Sequence, residues 1–121
     1  MTKPLKRSQE PIFWLLFGGG GTLAALVGVA LIVITGILVP TGTGVAADTM
    51  SYAAMHAFAA APFGKAVIFL VIALLLWHGV HRMAASAHHV GLASAHTAQI
   101  VLRGIAAVAT VACAVLVFSI G

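Results

Sequence analysis

Polar positions are sparse in this chain, and they punctuate three long apolar runs. From Ile12 to Val39 about 28 residues pass without a charge, more than the roughly 20 needed to cross about 30 Å of hydrocarbon. A second run extends from Phe63 to Arg82, and its helix is free to continue toward His89 because "MAASAHH" holds good helix formers and no breaker. A third runs from Ala98 to Ile120, with Arg103 near its start. The pattern predicts an all-α membrane protein with transmembrane helices at about 12–39, 63–85 and 98–120, forming one membrane domain over residues 1–121.

The punctuation itself is informative. Ser8 or a neighbour is placed to cap the first helix, Pro11 suits its first turn, and Pro40 marks its end. The stretch "PTGTGVAADTMSY" is rich in Gly, Thr and Pro and reads as a loop outside the membrane. After it, "AAMHAFAAAPFG" is too short to span and predicts an interfacial helix or turn.

Composition narrows the class further. Of 121 residues 62% are hydrophobic and 7% charged, and the mean hydropathy is +1.16, outside the range of soluble domains. The first apolar run is too long for the core of a cleaved signal, so it is expected to stay as a helix. Cys113, the single cysteine, rules out an internal disulfide and a multi-cysteine metal site and reads as a small packing residue.

The net charge of +4 matters through its placement. With the N-terminus inside, Lys3, Lys6, Arg7, Arg82 and Arg103 fall on or near the cytoplasmic side and Lys65 alone falls outside. That bias predicts a cytoplasmic N-terminus. The positive charge therefore answers to the bilayer, and no nucleic-acid partner is expected.

Gly18 to Gly21 form a "GGGG" run without the following Lys-Ser or Lys-Thr pair of a phosphate loop, and the run lies within an apolar helix. A steric role fits better. Gly20, Ala24 and Gly28 recur every four residues and make a flat stripe for close helix approach, and Ala106, Thr110 and Ala114 repeat the device on the third span.

Chemistry concentrates in "WHGVHRM", residues 77–83. On a helix His78, His81, Arg82, Ala85 and His89 fall within an arc of about 100°, so the polar groups share a face that is costly to turn toward lipid. Imidazole carries or releases a proton near neutral pH and guanidinium keeps its charge, a pairing suited to a proton-coupled anion. Three ligands fit: a haem on His78 or His81, a quinone, or an anionic lipid headgroup. Trp14 stands level with this face in the expected topology and brings an indole donor or, alternatively, an aromatic-belt anchor. Tyr52 and His56 belong to the far side without an evident partner, and His88 and His96 are expected in a cytoplasmic loop. Three helices without a buried acid offer little for a transporter.

"KRSQEPIFWLLFGGGG" at Lys6–Gly21, "GILVP" at Gly36–Pro40 and "LWHGVHRM" at Leu76–Met83, in this order and spacing, resemble the D-type membrane anchor of bacterial fumarate reductase over essentially the whole chain. The resemblance implies a multi-pass, non-catalytic anchor in the bacterial inner membrane. It would pair with the C-type membrane anchor and hold the flavoprotein subunit and the iron-sulfur subunit on the cytoplasmic face. It implies a shared menaquinol site at that face, with FAD and iron-sulfur clusters confined to the partner subunits and no haem or other metal in the anchor. By position, Trp14 and Arg82 resemble the residues that line the quinol pocket, and His81 the histidine beside it. The family places further histidines directly after the His-Arg-Met motif, whereas "AAS" intervenes here before His88 and His89. His78 matches no family role. A haem-b anchor of a succinate:quinone oxidoreductase and a structural protein binding only anionic lipid are the alternatives.

Overall fold

The computed structural model describes residues 10–91 and 94–121, with Glu10, His88 and Ala95 described by backbone alone. Lys3, Lys6, Arg7 and the expected cap at Ser8 lie outside the described residues. Three helices are long and apolar enough to cross a membrane: Pro11–Thr41, Pro62–Ala87 and His96–Phe118. All regular structure among the described residues is helical, and the chain is a multi-pass membrane protein.

The first span is less regular than its sequence suggests. Glu10–Leu23 is α-helical, π-helical turns occupy Ala24–Gly28 and Ile34–Leu38, and α-helix returns at Val29–Val33 and Val39–Thr41. The second π segment accounts for Pro40, which sits inside the last turn instead of beyond it. A proline ring crowds the carbonyl four residues back, here that of Gly36, and a widened turn over Ile34–Leu38 relieves the crowding. The helix ends at Thr41, and Gly42 follows with φ of 65°. Hydroxyls within the spans are satisfied locally, as Thr22 donates to Gly18 O (3.0 Å), Thr35 to Leu31 O (2.7 Å) and Thr110 to Ala106 O (2.7 Å).

The second helix, Pro62–His89, stands between the other two and packs on both. Its core contacts are small: Val80 and Ala84 from the second span, Ala98, Ala106 and Val117 from the third are buried, and Ala106 is 0% exposed. Without a hydrophobic gain from leaving lipid, close approach of small residues is what brings such helices together. On the other side Gly20 performs the same task, as a Cβ there would run into Leu74 O and come within 2.5 Å of His78 Cβ.

At the end of the bundle that carries Lys65, the Lys65 ammonium donates to Phe118 O (3.4 Å) and Ile120 O (2.5 Å). It thereby caps the third span, Ala95–Phe118, where carbonyls are left over and the helix dipole is negative. The expected interfacial element is a helix, Tyr52–Ala60, with Ser51 Oγ accepting from Ala54 N (3.3 Å). Gly64 is buried where any Cβ would meet Phe58 O, so this helix can fold back onto the start of the second span. From Ala24 onward the first span departs from the bundle: Leu26, Val29, Ile32 and Ile37 are exposed.

Candidate functional site

At the opposite end, which we call the histidine end, the sequence brings aromatic residues on the first span against imidazoles on the second. Phe13, Phe17, Gly20 and Gly21 lie along the side of the first span that meets the second, and the glycines let the two backbones approach. His78 is half-buried in this seam. Its Nδ1 lies 2.9 Å from Phe17 O, and its ring stacks on the Phe17 ring at 4.7 Å between centroids and 14° between planes. The carbonyl oxygen accepts, so Nδ1 is the protonated nitrogen when this bond is made. That carbonyl already closes the helical ladder with one lone pair and has a second to offer. The Phe17 ring also touches His81, at 4.7 Å between centroids and a 49° tilt. One phenylalanine thus fixes both histidines.

A cavity of about 170 Å³ opens where the three spans converge, between Phe13, Phe17, Trp77, His81, Gln99 and Arg103. Arg103 is half-buried and holds its guanidinium over the Phe13 ring, 4.3 Å from the centroid, which joins the first and third spans. Trp77 leans toward Phe13 at 6.3 Å and donates Nε1–H to Thr110 Oγ1 (3.2 Å).

The polar face anticipated on the second span is therefore divided. His78 turns into the seam, His81 lines the cavity while remaining exposed, and Arg82 is exposed beyond it. Trp14 is 76% exposed and lies outside the cavity. Helical spacing relates these two outer residues. Gly21 faces His78, with its added Cβ 3.2 Å from His78 Cε1. Trp14 is seven residues before Gly21 and Arg82 four after His78, so both border the same outward side of the seam. His81 stands between that outer edge and the cavity.

Of the packing stripe, Gly20 is the point of closest approach, Ala24 is exposed, and an added Cβ at Gly28 meets nothing within 4 Å. On the third span Ala106 is buried, Thr110 receives the Trp77 indole, and Ala114 is half-buried. Tyr52 and His56 meet each other, with centroids 5.7 Å apart and one helical turn between them. His96 lies in the first turn of the helix Ala95–Phe118, and His88 belongs by backbone to Pro62–His89, so neither sits in a loop; "MAASAHH" extends the second helix to His89, and Gly91 follows with φ of 68°. Phe13, Phe17, Gln99 and Arg103 complete the site, and the sequence pattern does not single them out for it. Their one signal is Arg103, a cation two turns inside an apolar span.

The family model for the fumarate reductase D-subunit matches residues 4–118. A fumarate reductase D-subunit of Vibrio parahaemolyticus is 44% identical over 84 residues, covering 69% of this chain and 63% of that protein. The chain thus aligns with less than two thirds of that relative. The Vibrio cholerae protein of the same name is 33% identical over 115 residues, 95% of this chain and 88% of the relative. That of Aliivibrio fischeri is 34% identical over 115 residues, 95% of both.

Proposed function

The chain belongs to the fumarate reductase D-subunit family, and from that premise we propose that it anchors a fumarate reductase complex in the bacterial inner membrane and contributes one wall of its menaquinol oxidation site. On this reading the histidine end faces the cytoplasm, where the second membrane anchor, the iron-sulfur subunit and the flavoprotein subunit assemble. The five-to-one bias of basic residues supports that orientation.

The observation that carries the reading is the outward edge formed by Trp14 and Arg82, with His81 behind it. Trp14 and Arg82 are exposed at the end of an otherwise apolar bundle, so their donors are available to a ligand or a neighbouring subunit. The edge is open on one side, as a wall completed by other chains should be. Menaquinol, when bound, supplies two electrons and two protons. Toward it, the Arg82 guanidinium and the Trp14 indole N–H are donors suited to an oxygen that gains negative charge as its proton departs. His81 is the proton acceptor, and its contact with Phe17 restrains the ring without using either nitrogen in a described hydrogen bond. Electrons leave through the partner subunits, so this chain's task is to hold, orient and deprotonate.

Arg82→Leu in the assembled complex tests this. Loss of a charge-assisted hydrogen bond predicts a fall of roughly tenfold or more in quinol-driven fumarate reduction. Fumarate reduction driven by a soluble viologen, which delivers electrons to the partner subunits, should be unchanged. Equal quinol-driven rates in an assembled variant would reject the role of Arg82.

A further inference from the structure

Among the described residues Arg103 has no counter-charge. The sequence holds six Lys and Arg against two carboxylates, so most of its cations must find an anion outside the chain. Among the described residues the guanidinium of Arg103 lies over the face of the Phe13 ring and enters no hydrogen bond or ion pair, so this contact uses none of its five N–H donors. A half-buried guanidinium with free donors is costly unless an anion or water meets it. The cavity beside it is well above the roughly 15 Å³ that one water requires, at about 170 Å³. Gln99, one helical turn away on the same side of the third span, and His81 across the cavity add further polar groups.

We infer that this cavity is a binding site for a phosphate group, held by Arg103 and Gln99 of the third span and faced by His81 of the second. The cation–π contact with Phe13 holds the guanidinium in place without using its N–H donors, which leaves them for the bidentate geometry that suits phosphate. The depth favours a phospholipid as the source. Phe13 lies two residues beyond Pro11, where the first membrane-spanning helix begins, so the long Arg103 side chain, rooted two turns inside the third span, carries its guanidinium toward the boundary where headgroup phosphates reside. Phe13, Phe17 and Trp77 then supply apolar walls for the atoms that follow the phosphate. The site borders the outer edge of Trp14 and Arg82 and shares His81 with it, but its two phosphate-holding residues, Arg103 and Gln99, belong to the third span alone.

The test uses the whole complex in nanodiscs of phosphatidylcholine, titrated with phosphatidylglycerol, and in a parallel arm with inorganic phosphate. Lipid retained through a delipidating wash is counted by native mass spectrometry. Wild type should retain one anionic phospholipid per chain, and Arg103→Gln should bind it at least about tenfold more weakly. Gln99→Leu, at an exposed position that leaves the Phe13 contact intact, should weaken binding in the same direction, and Arg103→Lys should restore part of it. Binding of inorganic phosphate that is lost in Arg103→Gln identifies a free phosphate as the source within the same chemistry. Equal retention by wild type, Arg103→Gln and Gln99→Leu overturns the site.

Discussion

His78 Nδ1 lies 2.9 Å from the carbonyl oxygen of Phe17, and the two rings stack with 14° between their planes. The pair clips the second span to the first at a level where the neighbouring residues, Gly20 and Gly21, leave no side chain to do so. Phe17 then bears on His81, so the clip transmits the position of one histidine to the other through a shared ring.

His78→Ala should therefore destabilise the anchor by about 1–2 kcal/mol, the sum expected for one hydrogen bond and one aromatic contact. Unfolding of the purified complex in a graded denaturing detergent measures it. His78→Asn, whose amide can still donate to Phe17 O, should recover part of the loss, and an alanine variant as stable as wild type would show that the clip is inert.

Gly20 and Gly28 belong to one stripe but should respond in opposite ways. Gly20→Val places new atoms against Leu74 O and His78 Cβ and should cost about 1–3 kcal/mol or block assembly of the helical pair. Gly28→Ala, with nothing within 4 Å of its new Cβ, should lie within about 0.5 kcal/mol of wild type in this chain. A marked loss of complex assembly in Gly28→Ala would instead locate a partner helix against that half of the first span.

Lys65→Met should loosen the far end of the third span. The ammonium serves two carbonyls, Phe118 O and Ile120 O, at a helix C-terminus, and removing it should cost about 1 kcal/mol. Hydrogen exchange would report the effect as faster exchange confined to the last turn of Ala95–Phe118, with the histidine end unaffected.

Trp77 and Thr110 form the corresponding link between the second and third spans. Trp77→Phe and Thr110→Val should each lose about 0.6–1.7 kcal/mol, the range seen for polar links between membrane helices, and the double variant should lose little more than either. Additive losses would mean that the 3.2 Å contact between Nε1 and Oγ1 contributes nothing of its own.

Hydropathy alone determined that this chain crosses a membrane three times, since the cost of placing charge in hydrocarbon confines Lys, Arg and His to the ends of long apolar runs. "WHGVHRM" was legible as the place where polar groups gather for the same reason, and the quoted motifs were legible as those of the fumarate reductase D family. The rotation of each helix about its own axis was not. In a soluble bundle the apolar stripe marks the buried side, but here every side is apolar, and lipid and neighbouring helix cannot be told apart by composition. Only the tertiary structure decided that His78 turns inward to Phe17, that Trp14 and Arg82 remain on the outer edge, and that Arg103 crosses to Phe13 and shares a cavity with His81. Those choices rest on where glycine and alanine permit two backbones to meet, at Gly20 on one side of the second span and at Ala106 on the other.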